Sequence, residues 1–516
     1  MTALRVVVVT PDAARADAGA LAATRRSLRT SGSRPAWLPG RGGTARVVRW
    51  WRAGVDDAPP TPGPHDWCVV VPAGESLARE SLLHLADAIT ADPAAELLYG
   101  DTAHPTGVRA EPWAYARRPG WSPERLLGHC YVGGVLAVSP ALVARTGGVG
   151  ALAEGSAHDR ALRLGAAARR VVRVPEVLAV SRDADSRPAA DAEAVRRHLA
   201  RAGVAATVTH DPAVPAVRVV RTPSRRPRIA VIVATRGTSA VVRGRERVLV
   251  VEAVRSLVER STYRELDFVV VADAPTPPEV RAELARVGGP ALRILDYDRP
   301  FNFAEKNNLG VLATDAELVL LLNDDTELDA PDAIETLVGH LEDPGVGAVG
   351  PYLRFEDGTI QSAGHVFNPE PFDLYRARPI GTAGPQNLLR VAREVSSVIA
   401  ACMLVRRSVF DEVGGLCTRF PANWNDVDFC CKVRRAGHRI VVTPHATVTH
   451  FESKTRVARL VEEEVARLGE RWGSWLDDDP YFHPRLQRYV NVWKTDSTSQ
   501  RSLDEALGPT APIAAK

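Results

Sequence analysis

Residues 318–349 read LVLLLNDDTELDAPDAIETLVGHLEDPGVGAV. The apolar run 318–322 has the length of a buried strand and stops at Asn323-Asp324-Asp325. Pro331 and Asp332 then mark a helix start, and apolar residues recur at helical spacing as far as Glu342. After Asp343-Pro344 a second apolar run begins. A buried strand that delivers polar residues to its end and is followed by a helix is the unit of a parallel α/β sheet, whose ligands bind at the carboxyl ends of the strands. Asn323 and Asp325 lie two apart, a spacing that lets both reach one hard cation such as Mg²⁺ or Mn²⁺, with substrate phosphates in the same shell. The same residues also suit a polar turn or a helix cap.

The pattern continues on both sides. Upstream, IAVIVA (229–234), FVVVA (268–272) and LRIL (292–295) read as strands, and LVVEAVRSLVER (249–260) reads as a helix between them. FNFAEKNNLG (301–310) joins a strand end to a helix start, where backbone N–H groups can meet a diphosphate, Lys306 adds charge and Asn308 adds hydrogen bonds. It equally suits a solvated helix start. Downstream, in NWNDVDFCCKVRRAGHRI (423–440), Asp426 and Asp428 open a helix with Phe429, Val433 and Ala436 on its apolar face. Acids there are also favoured by the helix dipole alone. His450, in TPHATVTHFES (443–453), follows an alternating strand. Such a histidine is a packing or surface residue unless a cation lies near Asp325, in which case imidazole is an apt ligand.

The chain also carries an internal repeat. Residues 67–98 match 318–349, 130–150 match 400–416, and 157–180 match 425–448, in the same order. Two copies of one fold are therefore expected. The first copy has Pro72-Ala73-Gly74 where the second has Asn323-Asp324-Asp325, and Arg182 where the second has His450. The expected division is a degenerate domain at 1–190, a linker at 191–227, a catalytic domain at 228–485 and a C-terminal tail at 486–516 that is loose from about 495.

The 516 residues correspond to about three domains, or two large ones. Sixty-five basic and 62 acidic residues give a net charge of +3, with 45% hydrophobic and 25% charged residues. Those values exclude wholesale disorder and give no basic field for nucleic acid. The six cysteines contain no CxxC and read as small buried residues in a reducing compartment. The N-terminal MTALRVVVVTPDAARAD is too short in its apolar part for a signal peptide, and no stretch approaches the ~20 apolar residues of a membrane span. A cytoplasmic protein is expected, with contact at the inner face of the plasma membrane left open. The turn ATRGTSAVVRG (234–244) lacks GxGxxG, which sets aside a nicotinamide-dependent oxidoreductase.

Taken in order, IAVIVATRG, VVVADAP, DRPFNFAEKNNLG, LLLNDDTE, AACMLVRRSVFDEVGGL, NDVDFCCKVRRAG and VTHFES resemble the family 2 glycosyltransferases of GT-A fold. The likeness points in particular to the rhamnosyltransferase-like and galactofuranosyltransferase-like enzymes of bacterial surface polysaccharide synthesis. It covers about residues 228–485. It implies an α/β GT-A fold in two tandem copies, the N-terminal one degenerate. It implies donor-site roles for Thr235, Arg236, Asp273, Lys306, Asn308 and Asp324. It also implies a divalent cation (Mn²⁺ or Mg²⁺) held by Asp325, Asn323 and His450, with Asp426 as catalytic base. Trp424 and Asp428 would face the acceptor. Asn323 stands where the family has aspartate, and VADAP replaces the usual VDNGS, which shifts Asp273 by one residue. The implied reaction inverts the anomeric centre of a nucleotide-diphosphate sugar, dTDP-rhamnose or a UDP-hexose, on transfer to a growing cell-surface glycan or lipid-linked glycan. The alternative is a non-catalytic glycan- or nucleotide-binding scaffold of a polysaccharide assembly complex.

Overall fold

The computed structural model describes residues 4–31, 45–108, 111–181, 188–452 and 461–496. Arg182 and most of the expected loose tail lie outside them. In the N-terminal half, seven strands form one sheet: β1 (Leu4–Thr10), β2 (Ala45–Arg52), β3 (Asp66–Val70), β4 (Ser76–Leu77), β5 (Leu97–Val108), β6 (Leu136–Val138) and β7 (Val171–Val180). Their order is β2-β1-β3-β6-β5-β7-β4, and Glu111–Ala116 adds an eighth strand beside β5.

The C-terminal half is built on β8 (Ile229–Thr235), β9 (Leu266–Asp273), β10 (Leu292–Tyr297), β11 (Leu318–Asn323), β12 (Thr326–Leu328), β13 (Val346–Arg354), β14 (Cys402–Arg406) and β15 (Arg439–His450). Their order is β10-β9-β8-β11-β14-β13-β15-β12. The sequence places all four upstream strands correctly. From β9 to β12 this order repeats that of the first sheet. The matching pairs have the same sense: β8 is parallel to β9 and β11, β14 runs antiparallel between β11 and β13, and β12 is antiparallel to β15. In the first sheet β1 is parallel to β2 and β3, β6 is antiparallel to β3 and β5, and β4 is antiparallel to β7.

The central strands are apolar throughout because both faces of the sheet are covered. Alternate residues of β8 enter different cores. Ala230 and Ile232 pack with Ala304 and Val311 of the helix Phe303–Leu312. Ile229, Val231 and Val233 pack with Val250, Val254 and Leu257 of the helix Leu249–Arg260. Gly310 lets the first helix lie close, since a Cβ there would meet Ile232 Cγ2 at 2.4 Å.

The two halves share a buried polar seam. Glu124 makes a two-pronged pair with Arg221, at 2.6 and 2.7 Å, and meets His340 Nδ1 at 3.2 Å. Burial alone would raise the Glu124 carboxyl, but Arg221 and His340 override it and hold it well below the usual range. Glu394 accepts from Ser122 Oγ and from Arg439 Nη1, the latter at 2.7 Å. Asp101, fully buried, pairs with Arg117 at 2.9 Å and His483 at 3.1 Å.

Candidate active site

A cavity of about 610 Å³ is lined by residues at the carboxyl ends of β8, β9 and β11. Registry explains the convergence. Thr235 ends β8 opposite Ala272, one residue before Asp273, while Ala234 pairs with Asn323. β12 pairs Thr326 with His450, so the last residue of β15 arrives beside Asp325.

At one end of the cavity the buried Lys306 Nζ donates to Asp273 Oδ1 and to the Thr235 carbonyl, both at 2.7 Å. Burial lowers the Lys306 ammonium and Asp273 partly restores it. Thr235 Oγ1 donates to Asp324 Oδ2 at 2.7 Å. Burial, and then the charge of Asp325, push the Asp324 carboxyl up to about 6. Arg236 lines the same end and is exposed.

Next along the wall, His450 Nε2 lies 3.0 Å from Asp325 Oδ1 and 3.2 Å from Asn323 Nδ2. Burial disfavours the imidazolium, but Asp325 outweighs it and the net shift is upward. One carboxylate, one imidazole and one amide make a mixed oxygen and nitrogen set that suits Mn²⁺. Among the described residues no group of three or more His, Cys, Asp or Glu side chains is arranged to hold an ion. A cation here would complete its shell with water or a bound phosphate, as small hard cations commonly do.

Asp426 also lines the cavity, in the first turn of the helix Asn425–Arg435. Its carboxylate accepts from the N–H of Val427 at 2.8 Å and of Ala400 at 3.3 Å. Burial raises it, against the pull of His365 and these two donors. Trp424 lines the wall just before the helix, with a left-handed φ of 60°. Its loop is tied down by Glu464, which accepts from the backbone of Ala422 at 3.0 Å and from Asn423 Nδ2 at 2.7 Å.

Two expected residues do not reach the cavity. Asn308 is engaged with the backbone of Leu416, donating at 2.8 Å and accepting at 2.9 Å. Asp428 is fully buried, accepting from Trp472 Nε1 at 2.9 Å and pairing with Arg471 at 3.0 Å. Each lies two residues from a cavity residue on the same helix, which turns it about 200° away at 3.6 residues per turn.

The sequence reading missed a polar wall formed by Gln361, His365, Asp373, Arg376 and Glu452. His365 Nδ1 meets Ser397 Oγ at 2.6 Å and its Nε2 meets Asp373 Oδ1 at 3.3 Å. Burial lowers the His365 imidazolium, yet Asp373 raises it more. Glu452 had one legible signal: it stands two residues after His450, on the same face of an extended chain. The others are scattered through short strands and turns with no periodicity.

An α/β sheet whose strand ends gather carboxylates, a lysine and an imidazole around one cavity has the make-up of a ligand site. Residues 227–473 match the family model "Glycosyltransferase like family 2". The chain is 32% identical over 437 residues to O-antigen biosynthesis protein RfbC of Myxococcus xanthus, covering 80% of this chain and 33% of that protein. It thus spans about a third of that relative's length. It is 30% identical over 218 residues to N-acetylglucosaminyl-diphospho-decaprenol L-rhamnosyltransferase of Mycobacterium tuberculosis, covering 37% of this chain and 69% of that protein. Among solved structures it is similar to mannosyltransferase PcManGT from Pyrobaculum calidifontis in complex with GDP-Man and Mn²⁺, with a TM-score of 0.35, 18% identity, and 51% and 69% of the two chains covered. The chain belongs to glycosyltransferase family 2. No helix among the described residues is long and apolar enough to cross a membrane.

Proposed function

We propose that this protein transfers a sugar, with inversion, from a nucleotide-diphosphate donor to a hydroxyl of a cell-surface glycan or its lipid-linked precursor. The observation that carries the reading is that one cavity holds both Asp426 and the Asp325–His450 pair. Its volume, about 610 Å³, is that of a site for a small organic ligand. Thr235, Arg236 and Asp273 would take the base and ribose, and Lys306 would lie near the diphosphate. Asp325 and His450, with the Asn323 amide, would hold a divalent cation. When bound, that cation supplies charge neutralisation for the departing diphosphate.

Asp426 acts as the base that takes the proton of the attacking acceptor hydroxyl. Two backbone donors orient its carboxylate, and burial raises its basicity towards the working pH. Trp424 offers an apolar face to an acceptor sugar, in a loop that Glu464 fixes. Attack on the face opposite the leaving diphosphate in a single displacement gives inversion. dTDP-rhamnose and UDP-hexoses are the donors to try first, since one relative is named a rhamnosyltransferase.

The two sheets are read as tandem copies of one GT-A fold, on the support of their shared strand order and senses. In the first copy Pro72 and Glu75 stand directly over Gly134, where an added Cβ would meet them at 2.6 and 2.5 Å. Side chains that can ligate a cation are replaced there by Pro72-Ala73-Gly74, so this copy is assigned a structural or acceptor-presenting role. Peripheral contact with a membrane surface fits a lipid-linked acceptor.

The test is thermal stabilisation by UDP, dTDP and their sugars, with and without Mn²⁺ or Mg²⁺. The expected result is a metal-dependent shift that Asp325→Ala abolishes. A shift of equal size in that variant counts against the cation site, and no shift with any nucleotide favours a non-catalytic scaffold.

A further inference from the structure

We infer that Gln361 decides which ring nitrogen of His450 is free to meet a cation. The inference rests on the cation site proposed above and deepens it. Arg376, Glu452, Gln361 and His450 stand in file along the cavity wall. Arg376 Nη2 donates to Glu452 Oε2 at 2.6 Å, and Gln361 Nε2 donates to the same oxygen at 3.0 Å. A carboxylate only accepts, so the Gln361 amide presents its NH₂ group to Glu452. Its Oε1 is then the atom that faces His450 Nδ1, at 2.7 Å. A carbonyl oxygen also only accepts, so Nδ1 carries the hydrogen. In a neutral imidazole the lone pair then sits on Nε2, on the side of Asp325 and Asn323.

Three neighbours bear on the ring hydrogen, and the Asn323 Nδ2 group, which only donates, sides with Gln361 in calling for a bare Nε2. Asp325, acting alone, favours an N–H at Nε2, where it would stand between the carboxylate and any cation. Gln361 favours the N–H at Nδ1 and keeps Nε2 open. Gln361 is 1% exposed, so water does not substitute for its amide. The short strand Ile360–Ser362 that carries it is paired to β13, with Ser362 opposite Leu353. Gln361 is thus a positioning residue. A partner on the second ring nitrogen of a metal-binding histidine generally accounts for 10–100-fold in affinity.

The experiment is Mn²⁺ uptake by the full chain in the presence of UDP and, separately, dTDP, with free Mn²⁺ read by electron paramagnetic resonance. Gln361→Met removes the acceptor at similar length. Glu452→Lys, at a half-exposed position, reverses the Gln361 amide without replacing it and serves where Gln361→Met melts early. His450→Gln sets the scale of a lost ligand. The expected result is a loss of about 10–100-fold in Mn²⁺ affinity for Gln361→Met and Glu452→Lys. Undiminished affinity in both Gln361→Met and Glu452→Lys, while His450→Gln binds weakly, overturns the role of Gln361 and leaves the cation site standing. Undiminished affinity in His450→Gln, or no uptake by the parent protein, overturns the cation site and this inference with it.

Discussion

Replacing Glu124 by glutamine tests the buried pair that ties the first half to the linker strand Val217–Arg221 and, through His340, to the second half. The side chains of Glu124 and Arg221 are 3% and 8% exposed, and their pairing is two-pronged at 2.6 and 2.7 Å. The amide keeps the shape and one acceptor oxygen but leaves Arg221 without its counter-charge. Removing one partner of a buried pair costs about 3–5 kcal/mol. The retained oxygen places this case near ~3 kcal/mol. At roughly 2 °C per kcal/mol for units of this size, the melting temperature falls by about 6 °C. The pH dependence follows from the sign of the shift. The Glu124 carboxyl is held below its ordinary 4.5, so its contribution is complete above that value and lost as the pH falls through the lower, folded one. The gap between parent and Glu124→Gln therefore closes in acid. Adding Arg221→Met removes the stranded charge, and the double variant recovers most of the loss. The assay is denaturant unfolding and thermal melting of the parent and the two variants between pH 2 and 8. A loss below about 1 kcal/mol at pH 7, the size of a surface pair, refutes the claim that this contact is a buried clamp.

Asp426→Asn is expected to raise the melting temperature at pH 7. Burial lifts this carboxyl above its ordinary 3.8, so its favourable contribution is present below that value and lost as the pH rises through the folded one. The gain disappears in acid, and a variant less stable at pH 7 contradicts the shift. Gly310→Ala drives a methyl to 2.4 Å from Ile232 Cγ2 and costs about 1–3 kcal/mol by denaturant unfolding, despite the better helix former. An unchanged midpoint would show that the helix moves off β8 freely. A 228–516 fragment exposes Glu394, whose carboxylate is fully buried against Ser122 in the intact chain. It is expected to melt well below the full chain, and equal stability would make the halves independent.

Much of the fold was legible because parallel strands covered on both faces appear as unbroken apolar runs, and β8, β9, β10 and β11 all do. Of the residues at their ends, Asn323 and Asp325 stood out because polar side chains follow a buried strand, whereas Thr235 and Asp273 were marked only by the likeness to the family; all four line the cavity. Helical residues were harder. Motif membership marked Asn308 and Asp428 together with Lys306 and Asp426, but two residues along a helix point to opposite sides. The wall from Gln361 to Arg376 was not legible at all. Its residues come from a short branch of the main sheet, a two-stranded piece and turns, and only the tertiary fold brings them to Asp325 and Asp426.

The central claim is that this cavity performs glycosyl transfer with Asp426 as base. The most direct measurement incubates the full chain with Mn²⁺, dTDP-rhamnose or UDP-hexoses and a lipid-linked glycan fraction, following nucleoside diphosphate release and product anomeric configuration. The account predicts an inverted product, and a rate at least about 10²-fold lower in Asp426→Asn while metal-dependent nucleotide binding persists. Transfer by Asp426→Asn at the parent rate, or retention of configuration, would contradict it.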